Sequence, residues 1–326
     1  MDSAVSPAAP ARLYAFLLKL RPLQTGTLMA FTGELVHGAW MDWMRSTAPD
    51  VSALLHEENR RRLFTCSSLQ FPLPFARMRD AERRNVHLPL TPEQTYHVRI
   101  TLLRADLFPL FHHALTTFSP QATEGERRSP LIQLGKQQFL LEEVIAKNED
   151  ATMWADWTSF ADMIAQVQAR RPGRMELLKL EFASLTTFNR GSAKGASYGN
   201  YFARLPLPHM VFPGLAKRWH ELAPPELAPV IQPDLVERYI QDEGIVIDEY
   251  DLMPHTVKFT THWQPGFIGT CMYALRGPDE PATEESMLTV RQQIVLLARL
   301  AFYCGVGYKT PMGMGQTRIV ESGGKR

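Results

Sequence analysis

The chain has 326 residues, of which 45% are hydrophobic, and a formal net charge of +1 at neutral pH. This length allows two domains of about 150 residues, and the composition is that of a globular protein. The isoelectric point of about 7.8 is lower than the values above about 9 that often mark a nucleic-acid-binding domain. Net charge therefore neither supports nor excludes RNA as a partner.

In the first half, the residue pattern predicts the order strand, helix, two strands, helix, strand, with one further short helix after the first. The predicted strands are residues 12–22, 63–69, 95–103 and 131–147, and the predicted helices are residues 27–45, 50–62 and 105–115. This βαββαβ order is typical of a ferredoxin-like domain.

A helix is predicted over residues 156–173 and ends in a Pro-Gly break. After it, the second half shows a similar order of strands and helices. The predicted strands are residues 175–185, 245–252, 256–263, 266–275 and 316–321, and the predicted helices lie within residues 208–241 and over 286–304. We therefore expect an α+β protein of two tandem ferredoxin-like domains, residues 1–173 and 174–326, with a glycine-rich loop before the final strand.

The three cysteines, Cys66, Cys271 and Cys304, are widely separated and form no CxxC pair. Their odd number and spacing suggest neither a disulfide framework nor a zinc knuckle, and they fit a reducing compartment. The sequence also begins without a secretory pattern and contains no run of 18 apolar residues. We expect a soluble, cytoplasmic protein with no metal, no cofactor and no membrane partner.

The glycine-rich segment GVGYKTPMGMGQ, residues 305–316, does not fit the common nucleotide-binding loops. A Walker loop has glycine directly before its lysine, whereas here Tyr308 precedes Lys309. The dinucleotide fingerprint follows a strand and opens a helix, whereas this loop follows a helix and opens a strand. Because glycine has no Cβ, such a loop can bring bare backbone close to a polyanion.

Tandem ferredoxin-like halves that end in a helix and this loop resemble the RAMP superfamily of CRISPR-associated proteins. More narrowly, the chain resembles the endoribonuclease family that cuts CRISPR precursor transcripts within their repeats. The stretches that carry the resemblance are GELVHGAW (33–40), LLHEENRRRLFTCSSL (54–69) and GFIGTCMYAL (266–275). It implies CRISPR repeat RNA as the partner, metal-independent cleavage in the N-terminal half, and delivery of the product to a CRISPR effector complex. A homodimer is left open.

The resemblance also implies catalytic residues. The family's histidine in the LHE segment corresponds to His56, and its lysine before the LFT strand corresponds to Arg62. Where many members have a tyrosine on the first helix, this chain has His37 instead. Metal-free cleavage needs a base for the 2′-hydroxyl, an acid for the leaving 5′-oxygen and a cation for the phosphorane. Histidine suits the first two tasks because both of its protonation states are accessible near neutral pH. Arginine suits the third because it does not give up its proton and so stays charged.

We expect a second group of residues to contact RNA through phosphate, backbone or base stacking. They are Arg60, Arg61, Arg190, Lys194, Gly305, Gly307, Tyr308, Lys309, Gly313 and Gly315. For the basic residues the alternative is a solvated face, and for the loop it is a packed turn. At the level of the whole protein, the alternatives are a non-catalytic RNA-binding subunit of a CRISPR effector complex and an unrelated α+β enzyme.

Overall fold

The structure is a computed structural model that describes residues 11–47, 63–117, 131–147, 154–169, 176–191, 201–277 and 287–320. In chain order the N-terminal half contains β1 (Arg12–Pro22), β2 (Gly26–Met29), α1 (Gly33–Thr47), β3 (Phe64–Cys66), α2 (Phe75–Arg84), β4 (His87–Leu90), β5 (Tyr96–Leu102), α3 (Leu107–Thr117), β6 (Leu131–Leu134), β7 (Gln137–Ile145), β8 (Asp156–Ser159) and α4 (Phe160–Gln168). The C-terminal half contains β9 (Glu176–Thr186), β10 (Phe188–Arg190), β11 (Tyr201–Ala203), α5 (Pro208–Leu222), α6 (Pro233–Gln241), β12 (Ile245–Lys258), β13 (Trp263–Leu275), α7 (Val290–Cys304) and β14 (Thr317–Ile319).

Each half is built on an antiparallel sheet with the same strand order. In the N-terminal half the order is β3-β5-β1-β7-β6, with β8 pairing to β1, and in the C-terminal half it is β12-β13-β9-β14. In both sheets the first strand of the unit lies between the third and the fourth, and the second lies beside the third. This arrangement confirms the predicted tandem ferredoxin-like fold.

Several boundaries differ from the sequence prediction for identifiable reasons. Residues 26–29 form β2, and the first helix begins only at Gly33. Ser159 is the N-cap of α4: its side chain accepts a hydrogen bond from the Asp162 backbone N–H in a capping box, so the helix begins at Phe160. Residues 156–159, predicted as helix, pair with β1 instead and form β8. The strands predicted over 245–252 and 256–263 are joined in one strand, β12, which ends at Lys258, and residues 259–262 form the turn to β13. Strand β12 tolerates Pro254 because it lies at the sheet edge. Helix α2 and strand β4 were not predicted.

The two halves pack directly against each other. The Arg99 side chain on β5 is buried and donates hydrogen bonds to the carbonyl oxygen of Trp154 in its own half (2.8 Å) and to that of Phe302 on α7 of the C-terminal half (2.6 Å). Burial lowers the pKa of Arg99 to about 9, so the guanidinium remains charged at neutral pH. Further along the same contact, His255 Nε2 lies 2.6 Å from a Glu82 carboxylate oxygen. The interface is therefore held by buried polar pairs as well as by apolar packing.

Helix α4 belongs to the core of the C-terminal half, although its preceding strand pairs with the N-terminal sheet. The domain boundary predicted near residue 173 lies outside the described residues and stays a prediction. Within the described part of the chain, no helix has the length and apolar character needed to cross a membrane.

Candidate active site

The glycine-rich loop between α7 and β14 docks on the N-terminal half. The backbone N–H of Gly313 donates to the carbonyl of Cys66 at 3.0 Å, and Ser67 and Gly313 form an isolated parallel bridge. Gly313 has a φ of +85°, a conformation that favours glycine. On the other side of the contact, a Cβ at Gly33 would lie 2.1 Å from the carbonyl oxygen of Met312. Glycines on both sides therefore let the loop and the start of α1 approach closely.

His37 lies on α1 beside this loop. Its Nδ1 is 3.1 Å from the carbonyl oxygen of Pro311, and its half-buried ring stacks on Phe64 with centroids 5.6 Å apart. A carbonyl oxygen only accepts hydrogen bonds, so Nδ1 is the donor. In neutral His37 the lone pair is then on Nε2, which makes Nε2 the atom that can accept a proton.

Glu34, one turn before His37, fixes the turn between β12 and β13 against α1. A Glu34 carboxylate oxygen accepts hydrogen bonds from the Thr260 backbone N–H at 2.6 Å and from the Thr260 hydroxyl at 2.8 Å. The same turn carries Phe259, whose ring packs on Phe31 at 5.1 Å. The first turn of α1, the glycine-rich loop and this β-turn therefore converge from three parts of the sequence.

Lys309 supplies a cation at this junction. Its Nζ lies 3.8 Å from the centroid of the Phe259 ring and 3.3 Å from Nε2 of His262. Desolvation lowers the pKa of Lys309 below its ordinary value, and the negative charge of Glu34 opposes part of that shift. Desolvation disfavours the protonated form of Lys309, whereas the aromatic face of Phe259 favours it.

The structure brings some of the predicted site residues together and leaves others apart. His37, Lys309 and Gly313 meet at the junction of the two halves. Of the other described members, Arg190, Gly305, Gly307 and Tyr308 line a concave surface on the far side of the loop. Gly315 packs within the loop, against Val306 and Thr310. Outside the described residues lie His56, Arg60, Arg61, Arg62 and Lys194.

Two further residues at the junction were not found from the sequence. Glu34 stands three residues before His37, a helical spacing that would have been a usable signal. His262 lies in a turn more than 200 residues away, and its neighbours in sequence give no such signal. Among the described residues, no three His, Cys, Asp or Glu side chains are grouped so as to hold a metal ion.

Similarity to solved structures extends over nearly the whole chain. A Cas6 product complex matches with a TM-score of 0.68 and 23% identity, covering 96% of this chain and 100% of that chain. A second Cas6 product complex matches at 0.62 and 20%, covering 95% and 100%. A Cas6 from Thermus thermophilus matches at 0.59 and 22%, covering 96% and 100%. At these identities the structures establish the fold.

Family models establish more than the fold. The model described as CRISPR-associated endoribonuclease Cas6 matches residues 180–317, and the model for the CRISPR Cas6 N-terminal domain matches residues 13–165. No curated protein sequence matches the chain. The two models belong to one family and match the two halves in chain order. The chain therefore belongs to the Cas6 family of CRISPR-associated endoribonucleases.

Proposed function

We propose that the protein cuts CRISPR precursor RNA once within each repeat, without a metal ion. The 2′-oxygen next to the scissile phosphate attacks phosphorus, the bond to the 5′-oxygen of the next nucleotide breaks, and the proton lost from the 2′-hydroxyl is balanced by one given to the leaving oxygen. The products are a 2′,3′-cyclic phosphate and a 5′-hydroxyl. The observation that carries this proposal is His37 held against the docked glycine-rich loop by its Nδ1 contact with Pro311.

In this proposal His37 takes part in proton transfer through Nε2, and Lys309 stabilises the negative charge of the phosphorane. A positioned proton donor or acceptor near neutral pKa and a fixed cation are what this reaction requires. His56 and Arg62 join the proposal through the family resemblance, His56 as the second proton-transfer group and Arg62 as a further cation. Delivery of the product to an effector complex, a homodimer and a cytoplasmic location stay predictions.

The experiment that tests this function is incubation of end-labelled repeat RNA, from the array of the source genome, with the purified protein in excess EDTA. We expect one cut, with a cyclic phosphate on the upstream product and a 5′-hydroxyl on the downstream product. Loss of cleavage in EDTA that returns with Mg²⁺ would contradict the metal-independent mechanism. Tight binding without a cut, with or without Mg²⁺, would support the non-catalytic RNA-binding subunit instead.

The lowered pKa of Lys309 predicts a pH effect on RNA binding. A lysine whose pKa is lowered loses its charge at a lower pH than an exposed lysine, whose pKa is about 10.4. We therefore expect affinity for a non-cleavable 2′-deoxy RNA to fall as the pH rises through the alkaline range, starting at a lower pH than an exposed lysine would give. Lys309→Arg is the matched control, since arginine stays charged across this range, and its affinity should fall less. Identical pH profiles for the two proteins would show that Lys309 does not contact phosphate.

A further inference from the structure

A second concave site lies behind the glycine-rich loop, between the loop, β10 and the N-terminal half of α5. We call it the loop pocket, and its volume is about 600 Å³. This is within the range of roughly 300–1,000 Å³ typical of small-molecule sites. Its lining includes Arg190, His209, Gly214, Arg218, Tyr308 and Lys309.

The charged residues that line the loop pocket are all basic. Its described lining residues include Arg190, Arg218, Lys309 and His209 but no aspartate or glutamate. Arg218 pairs with Glu221 at 3.0 Å, whereas Arg190 forms no ion pair with another residue in the described part of the chain. Because cations concentrated in a concave site attract anions, the loop pocket is suited to a phosphate.

The walls of the loop pocket are suited to a flat apolar group. Phe188, Val211 and Leu215 are buried side chains that line it, and the half-buried Tyr308 lines it beside Lys309. The Tyr308 ring is held by Phe202, with centroids 5.8 Å apart, and its backbone N–H donates to the Thr187 carbonyl at 2.9 Å. An aromatic ring fixed in this way can stack on a nucleobase.

The loop pocket adjoins the candidate active site through the loop itself. Pro311 lines the pocket, and its carbonyl oxygen is the atom that lies 3.1 Å from Nδ1 of His37. Lys309 also lines the pocket, and its Nζ lies 3.3 Å from His262. A single turn of backbone therefore separates the pocket from His37.

We propose that the loop pocket binds one unpaired nucleotide of the repeat RNA adjacent to the cut. Its phosphate contacts Arg190, and its base enters the apolar part of the pocket beside Tyr308. The Nζ of Lys309 lies against Phe259 and His262 and stays with the scissile phosphate. This inference rests on the proposed function, since it takes the RNA to be cut at His37. It makes the loop pocket a specificity site, because only an RNA with an unpaired base at that distance from the cut can fill it.

Gly214 provides a direct test. It is exposed, lies inside α5 and lines the pocket, and no described atom is within 4 Å of the position that its Cβ would take. A Cβ at this position therefore meets no described atom from another part of the fold; Gly214→Phe adds an aromatic ring at the pocket wall, and Gly214→Ala adds only a methyl group. Gln241→Phe, at an exposed position on α6 outside the pocket, is the matched control for a new surface aromatic.

The probes are a repeat RNA made non-cleavable by a 2′-deoxy nucleotide at the cut, and a series of the same RNA with one base removed at each unpaired position. In the wild type, removal of one base near the cut should weaken binding by about 10-fold or more. Gly214→Phe should bind the intact RNA about 10- to 100-fold more weakly and lose its response to that base. Gly214→Ala should show a smaller loss, and Gln241→Phe should match the wild type.

The outcomes separate this inference from the proposed function. If Gly214→Phe binds the intact RNA as the wild type does, or responds equally to base removal, the loop pocket holds no nucleotide, whether or not the protein cuts RNA. If the wild type does not cut repeat RNA, the unmodified RNA and its base-removed series are the probes. The expected binding results with them would support the pocket, and the nuclease proposal would fail. Thermal unfolding of each variant checks that a loss of binding is not a loss of fold.

Discussion

Replacing His37 by alanine should lower the single-turnover rate of repeat cleavage by about 10²- to 10⁴-fold, with RNA affinity within a few-fold of the wild type. The reason is that His37 has an ordinary pKa near neutrality and that its Nδ1 is held by the carbonyl oxygen of Pro311 in the docked loop. The measurement is a time course of labelled repeat RNA with protein in excess, together with a binding titration on 2′-deoxy RNA.

His37→Asn is the matched control for this experiment. An asparagine amide can donate a hydrogen bond to the Pro311 carbonyl as Nδ1 does, but it does not transfer protons near neutral pH. Both variants should therefore be slow if His37 acts in proton transfer. If His37→Asn cuts at nearly the wild-type rate, His37 only holds the loop, and the acid and base must lie elsewhere.

Gly33→Ala should lower cleavage by about 10²-fold and the free energy of unfolding by about 1–3 kcal/mol. Its Cβ would stand 2.1 Å from the carbonyl oxygen of Met312 and 2.7 Å from the carbonyl carbon. Both are backbone atoms, so the glycine-rich loop or the start of α1 must move. That movement displaces Pro311 and Lys309 relative to His37, and a misplacement of about 1 Å is enough for a loss of this size.

Gly38→Ala, on the same helix, is the control. No described atom lies within 4 Å of the position of its Cβ. We expect unchanged cleavage and a free energy of unfolding higher by up to about 1 kcal/mol, because alanine replaces glycine inside a helix. Equal effects of the two substitutions would contradict a close docking of the loop on Gly33.

The parts of the fold that the sequence predicted well are those with strong local signals. Strand β1 is a mainly apolar run that ends at Pro22, with seven of its eleven positions buried, and α7 has apolar residues that repeat every three to four positions. Helix α2 was missed because it is rich in charged residues and Ala81 is its one buried position. Its place in the fold depends on contacts with β12, such as the pair Glu82–His255, which are more than 170 residues apart in sequence.

The candidate site also has some parts that the sequence predicted and others that it did not. The glycine-rich loop is visible in the sequence itself, but its role and that of His37 were predicted through the family resemblance. The contacts that define their geometry join residues far apart, Glu34 with Thr260 and His37 with Pro311. No pattern within a short window encodes such pairs, so Glu34 and His262 emerged only from the structure. The role of His56 still depends on the resemblance.

The central claim is that the RNA supplies its own nucleophile at a site formed by α1 and the docked glycine-rich loop. The most direct test is single-turnover cleavage, in EDTA, of a repeat RNA that carries one 2′-deoxy nucleotide immediately upstream of the mapped cut. The account predicts binding equal to that of the unmodified RNA and no cleavage at that position. Cleavage of the 2′-deoxy RNA at the same position, leaving a 5′-phosphate, would mean that water attacks the phosphate and would contradict the account.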